Sequence, residues 1–293
     1  MHELLKCLGT AKLDNPNYGY SNLKGRDTAK ELIISARKFG VHSFDTSPRY
    51  NNSEKIIGEI LYNKENNIFF SSKIDNLDSN SEYSINKMLN SVKSSISKLK
   101  IDKLDLCFLH QDDIKIISDK YIQKGIKLLK EYGLISYAGT SIYSKNELDY
   151  TIESNFYDWV QIPLSIINNY FYNYILRKNT KIKVAARSVL IQGMLFQDYE
   201  IIRQNVSKGE EMISKLDNIK KKLNIKNNKD FKKISIAYLS YLNRLSMVII
   251  GTNSVNNLKF FLNSLDYPVN ESQLRIISEN SNFNYDWCNP RNW

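Results

Sequence analysis

Four side chains in the first 110 residues are of types that together can move a proton: Asp45, Tyr50, Lys73 and His110. Asp45 and Tyr50 stand five positions apart in FDTSPRY (44–50), a stretch that reads as one tight loop closing a short apolar run. A phenol has an unperturbed pKa of about 10 and gives up its proton reluctantly at neutral pH. A buried ammonium within reach favours the phenolate and lowers that value. The ammonium in turn needs an anion, because an unpaired buried charge is costly, and Asp45 can supply it. The Asp–Lys–Tyr chain is then a tuned acid, and His110 can donate a hydrogen bond to the oxygen that Tyr50 protonates. One proton delivered to a carbonyl oxygen, with no metal, is what carbonyl reduction by hydride requires. Taken singly, each residue has a blander reading. Asp45 could cap the next helix, and Tyr50 is one of nineteen tyrosines. Lys73 could lie on the surface or form a Schiff base, as in an aldolase. His110 could be a satisfied core histidine.

Position is what joins the four. Eight short apolar runs recur along the chain: 4–9, 41–44, 68–72, 104–109, 135–141, 159–162, 182–187 and 247–251. Longer amphipathic stretches separate them. RDTAKELIISARKFG carries Asp27 as a helix cap and Gly40 as a stop, and NSEKIIGEILYN opens on Asn52 or Ser53. YIQKGIKLLKEYG ends at Gly133, a C′ glycine. Buried runs of this length alternating with helices are parallel strands, so one α/β domain, a (β/α)₈ TIM barrel over residues 1–293, is expected. An open doubly wound sheet for a dinucleotide would carry G-x-G-x-x-G after its first strand, and none of the eleven glycines makes that spacing. The stretch 194–230 is long for one unit, which implies an extra helix or loop after the seventh strand. A barrel gathers its site at the C-terminal strand ends. There the sequence places Asp45 with Tyr50 on its loop, Lys73, His110, Ser141, Gln161, Arg187 with Ser188, and Gly251 with Thr252.

Composition narrows the class. The 293 residues are 42% hydrophobic, enough for a large core, and carry a net charge of +10. No recognition motif accompanies that charge, so it is read as background composition and nucleic acid is not the expected partner. The densest basic stretch, 215–233, alternates Lys with Ile and Leu and reads as the solvated face of one helix and the start of another. No apolar run approaches 18 residues, so no membrane span is expected. Cys7, Cys107 and Cys288 form no C-x-x-C, and His2, His42 and His110 form no H-x-x-x-H. A disulfide scaffold and a zinc site are therefore both disfavoured, and a reducing cytoplasm fits.

FDTSPRYNNSEKIIGEIL resembles the signature of the aldo-keto reductases, with Asp45, Thr46, Tyr50, Ser53, Glu54 and Gly58 in its positions. SSKID resembles the strand with that family's lysine, LDLCFLHQDD the strand with its histidine, and KEYGLISYAGTSIY a further stretch of it. The resemblance covers nearly the whole chain. It implies a catalytic tetrad of Asp45, Tyr50, Lys73 and His110, and NADP(H), with NAD(H) as the other choice, extended across the barrel mouth. Asn51 replaces the usual glycine, and Ile142 replaces an Asn that would help hold the carboxamide, leaving Ser141 and Gln161. Arg187 stands where many members stack a Tyr on the nicotinamide. Ser188, Leu190, Gln192 and Gly193 match residues that wrap the pyrophosphate. Gly251, Thr252, Asn253, Ser254 and Asn257 occupy the segment that usually grips a 2′-phosphate, where Lys259 is the nearest cation. The opening LGTAKLDNPNYGYSNLKGR resembles a bacterial subgroup associated with sugar and surface-polysaccharide metabolism. The substrate implied is an aldehyde, ketone or aldose. A cofactor-sensing protein with little turnover is the leading alternative, and a Lys73 aldolase the next.

Overall fold

The computed structural model describes residues 4–13, 28–62, 67–283, 286–289 and 292. Eight apolar runs become eight strands: β1 (Leu5–Gly9), β2 (Ser43–Asp45), β3 (Phe69–Ile74), β4 (Leu104–Leu109), β5 (Ile135–Ser141), β6 (Trp159–Pro163), β7 (Lys183–Arg187) and β8 (Leu245–Gly251). All pair in parallel and in chain order, and β8 returns to β1, which closes the barrel. The strands are buried on both faces, which is why they read as continuous apolar runs rather than alternating ones. Their helices cover the outside. Inside, Cys7, Leu106, Phe108, Trp159, Ala185, Met247 and Ile249 pack as one cluster contributed by strands from opposite sides of the ring.

Helix boundaries follow local chemistry. The helix α1 (Ala29–Lys38) is capped by Thr28 rather than Asp27: the Thr28 hydroxyl accepts from Glu31 N–H while the Glu31 carboxylate takes Thr28 N–H. The helix α2 (Ser53–Leu61) starts after Asn52, whose side chain makes no capping bond. Then come α3 (Tyr83–Leu99), α4 (Ile114–Ile117) and α5 (Lys120–Glu131). Gly133 follows α5 at φ +66°, the C′ role its position suggested. After α6 (Lys145–Glu153) and α7 (Tyr170–Leu176), the expected insertion behind β7 is a 3₁₀ turn at Ile191–Phe196 followed by α8 (Tyr199–Asn205) and α9 (Gly209–Lys222). The helix α10 (Asn228–Ala237) leads into β8, and α11 (Val255–Leu265) and α12 (Glu271–Asn280) follow it. Among the described residues no helix is long and apolar enough to cross a membrane.

Gly58 shows how tightly α2 meets its neighbour. A β-carbon there would lie 2.1 Å from the Lys98 carbonyl oxygen at the end of α3. Because the obstacle is backbone, Gly58→Ala is expected to cost about 1–3 kcal/mol, readable as a lower midpoint in urea unfolding. The strain would reach the loop that carries Tyr50, since α2 begins at Ser53, just beyond it.

Candidate active site

The register of β2 on β3 pairs Asp45 with Ser71, which brings Lys73 to the same strand end. Lys73 Nζ donates to Asp45 Oδ2 at 2.5 Å and to the Thr46 carbonyl at 2.8 Å. Both side chains are almost fully buried. Ser71 Oγ donates to Asp45 Oδ1 at 2.9 Å, and Gln161 Nε2 approaches the same oxygen at 3.4 Å. A buried pair of this kind holds together because removing either partner strands the other charge.

Tyr50 stands over this pair. Its loop is tied by Tyr50 N–H to the Ser47 carbonyl at 2.9 Å and by Ser53 N–H to the Tyr50 carbonyl at 2.9 Å. Asn51 takes φ +48°, a left-handed conformation that asparagine tolerates better than most residues. Lys73 Nζ lies 5.1 Å from the centre of the Tyr50 ring, and His110 meets that ring edge-on with centroids 6.2 Å apart. Burial and the Asp45 carboxylate push the Tyr50 hydroxyl up from its ordinary value, while Arg187 and Arg49 pull it down. The expectation of a lowered Tyr50 pKa is corrected here: Asp45 and the Lys73 ammonium largely offset one another, burial dominates, and the phenol is held protonated.

His110 follows β4, its backbone N–H donating to the Ile74 carbonyl at 2.8 Å. Its Nδ1 lies 3.2 Å from Asp75 Oδ2 and 3.4 Å from Ser47 Oγ. Burial lowers the imidazole pKa, and the Asp75 contact only partly opposes this, so the ring is neutral at pH 7. For the Asp75 carboxyl, burial acts upward, but His110, the Asn76 N–H and Arg49 outweigh it and keep the group ionised. The His110 ring thus stands edge-on to Tyr50 with Nδ1 turned toward Asp75 and Ser47. Asp75 itself escaped sequence reasoning. It stands two places after Lys73, and only the fold shows that it reaches His110 and Arg49.

From this corner a cleft of about 1270 Å³ runs across the barrel mouth. Of the expected residues, Asp45, Tyr50, His110, Ser141, Gln161, Arg187, Ser188, Leu190, Gln192, Gly193, Gly251, Thr252, Asn253 and Asn257 line it. Lys73 lies beneath its floor. Lys259 is exposed and does not line it. A polar run crosses the cleft's middle: Ser141 Oγ donates to Gln161 Oε1 at 3.2 Å, and Arg187 Nε donates to Ser141 Oγ at 3.3 Å. Arg187 Nη2 donates to the Ile142 carbonyl at 2.8 Å, and the guanidinium stacks 3.8 Å from the centre of Tyr143. Arg187 Nη1 is buried without a partner among the described residues.

Beyond Arg187 the backbone is unusual. Ser188, Ile191, Gln192 and Gly193 all have positive φ, from 46° to 96°. Such a turn costs conformational energy, most at the β-branched Ile191, and left-handed residues of this kind aim successive N–H groups at one concavity. Missed by sequence reasoning were Thr10 and Lys12 after β1, Tyr143 and Lys232, all of which line the cleft. Burial lowers the Lys12 ammonium from its usual value. Tyr18, Gly19 and Gly25, in the opening stretch LGTAKLDNPNYGYSNLKGR, lie outside the described residues.

A family model described as Aldo/keto reductase family matches residues 7–282. The "Uncharacterized oxidoreductase YqkF" of Bacillus subtilis is 29% identical over 201 residues, 64% of this chain and 65% of that protein. The match thus spans a little under two thirds of that relative's length. Among solved structures, the holo form of aldo-keto reductase AKR11C1 from Bacillus halodurans superposes with a TM-score of 0.72 at 18% identity, covering 96% of this chain and 94% of that one. A point mutant of Gox0644 in complex with NADPH gives 0.64 at 18% identity, covering 94% and 88%. At this identity the two structures share the fold.

Proposed function

Since the chain belongs to the aldo/keto reductase family, we propose that it is an NAD(P)H-dependent oxidoreductase that interconverts a carbonyl and an alcohol, with Tyr50 as general acid and base. The observation that carries this reading is the ionised Asp45–Lys73 pair set directly beneath Tyr50 at one end of a long cleft. The cleft suits a dinucleotide. Its middle offers the unpartnered Arg187 Nη1 and the Ser141–Gln161 pair for an amide, and its far half offers the left-handed turn Ser188–Gly193 for a pyrophosphate. The NADPH complex of Gox0644, a protein of the same fold, agrees with that fit.

When bound, the nicotinamide supplies or accepts the hydride. The chain's own part is the proton. Tyr50, kept protonated by burial, delivers it to the substrate oxygen, and Arg49 and Arg187 favour the phenolate left behind. Lys73 offsets Asp45, so that the carboxylate does not oppose this loss in full. Asp75 holds the His110 ring in place beside the reacting oxygen.

Lys73 supports this role and opposes a Schiff-base one. Its Nζ is bonded to Asp45 and Thr46 and does not face the cleft. The carboxylates Asp75, Asp112 and Asp113, which line the cleft with Tyr50, also favour a substrate that carries a hydroxyl next to its carbonyl, as an aldose does. Purified protein assayed with NADPH and NADH against paired aldehydes tests both points. Glycolaldehyde and glyceraldehyde are expected to exceed acetaldehyde and propanal in kcat/KM by about tenfold, one good hydrogen bond. Equal values would remove the hydroxyl preference. Tight cofactor binding without turnover on any of them would favour the cofactor-sensing alternative.

A further inference from the structure

Asp75 joins two arms of the reacting corner that come from different strands. It opens the segment 75–77 behind β3, two places after Lys73. From the β2 side, Arg49 Nε pairs with Asp75 Oδ2, and Arg49 Nη2 donates to Asn76 Oδ1 at 3.4 Å. From the β4 side, His110 Nδ1 lies 3.2 Å from the same Asp75 Oδ2. Gln111, the next residue, bonds Leu77 in both directions: its Nε2 donates to the carbonyl at 3.0 Å, and its Oε1 accepts from the N–H at 2.5 Å. The other Asp75 oxygen accepts from the Asn76 N–H at 2.8 Å, which holds the carboxylate in orientation. Arg49 is the residue before Tyr50 on the same tight loop, and its N–H donates to Ser47 Oγ at 3.2 Å. That hydroxyl is itself 3.4 Å from His110 Nδ1. The loop that carries the proton donor and the strand end that carries the imidazole therefore meet on one carboxylate oxygen.

Burial makes this meeting point sensitive to charge. Asp75 keeps 7% of its side-chain surface and His110 21%, whereas Arg49 keeps 55% and is the most screened of the three. The charged and titratable groups that face the imidazole are Asp75 and Lys73 from β3 and its loop, and Arg49 and Tyr50 from the loop after β2. Burial opposes the imidazolium most, Asp75 favours it, and Lys73 and Arg49 oppose it. A carboxylate this close, with no counter-charge, would draw a proton onto His110 and oppose any negative charge formed at Tyr50. Arg49 supplies the counter-charge.

We propose that Arg49 and Asp75 are positioning residues that act as one unit, Asp75 anchoring the His110 ring to the Tyr50 loop and Arg49 balancing the charge of that anchor. The proposal rests on the reading of this corner as the reacting end of the cleft. Neither side chain needs to touch the substrate. Although the two belong to one contact, they must act on the imidazole in opposite directions, which a purely structural ion pair would not do.

An NMR titration of the imidazole signals in cofactor-free wild type, Asp75→Asn, Arg49→Gln and Arg49→Lys tests the unit. The His110 signals are identified by their loss in His110→Gln, and thermal melts confirm folding. The His110 midpoint is expected to fall in Asp75→Asn, which removes the acidic neighbour, and to rise in Arg49→Gln, which leaves Asp75 unbalanced. Arg49→Lys keeps the charge and should stay near the wild type. In steady-state assays with NADPH and glyceraldehyde, Asp75→Asn and Arg49→Gln should each lower kcat by about tenfold with KM within about twofold. The double variant should lose little more than the worse single one. Midpoints that shift in the same direction, or folded Asp75→Asn and Arg49→Gln variants with the wild-type midpoint or the wild-type kcat, would overturn the proposal. A wild type that turns over no aldehyde would overturn the functional reading, and opposed midpoints would then still mark Arg49 and Asp75 as one unit.

Discussion

Tyr50→Phe is expected to cut turnover by about 10² or more while leaving cofactor affinity within about twofold. The substitution removes one oxygen and keeps the ring. Its edge contact with His110 and its position over Lys73 are therefore retained. What is lost is the hydroxyl of a ring that lines the cleft with its centre 5.1 Å from Lys73 Nζ. The loss belongs to the transition state, so kcat and kcat/KM should fall together. Steady-state assays with NADPH and glyceraldehyde, alongside a cofactor titration, read both quantities. Turnover near the wild-type value would remove Tyr50 from the proton path.

Lys73→Met has a second, larger set of consequences, because it acts on stability and on chemistry at once. Removing one partner of a buried pair leaves an uncompensated charge and typically costs about 3–5 kcal/mol. Here the stranded group is Asp45, which already pushes the Tyr50 hydroxyl upward. Without Lys73 that push is no longer offset. The sign follows directly. Reduction needs the protonated phenol, so its basic limb is set by the Tyr50 pKa and should move to higher pH, while the poorer acid slows turnover by a further large factor. Adding Asp45→Asn to Lys73→Met removes the stranded charge. The double variant should recover much of the melting temperature without recovering the rate, and the two singles should be strongly non-additive. If Lys73→Met kept the wild-type pH profile, the lysine would be a structural ion and not a tuner of Tyr50.

The sequence was most legible where the information is local. Runs of apolar residues ending in a polar one marked the eight strands, because a buried parallel strand shows its burial in its own composition. Asp45, Tyr50, Lys73 and His110 could be named because a barrel sends the residue at each strand end to one mouth. Gly133 could be named because a helix stop depends on one residue's backbone freedom. The α1 cap was misplaced by one residue, since Asp27 and Thr28 are both good caps and only the reciprocal bond with Glu31 separates them.

What the tertiary structure alone decided are the contacts between residues far apart in the chain. Lys73 is paired with a carboxylate 28 residues away, so its pull on Tyr50 is spent offsetting that carboxylate, and burial keeps the phenol protonated. His110 Nδ1 is brought within 3.2 Å of an aspartate on the neighbouring strand end, a partner that its own strand does not reveal. Lys232, one lysine among many in a basic stretch, reaches the cleft because α10 packs beside α11, whereas Lys259, nearer in sequence to the expected phosphate segment, remains exposed. Residue type and spacing determine which chemistry is available. The electrostatic state of each group depends on its burial and on the partner beside it, and neither exists until the barrel has closed.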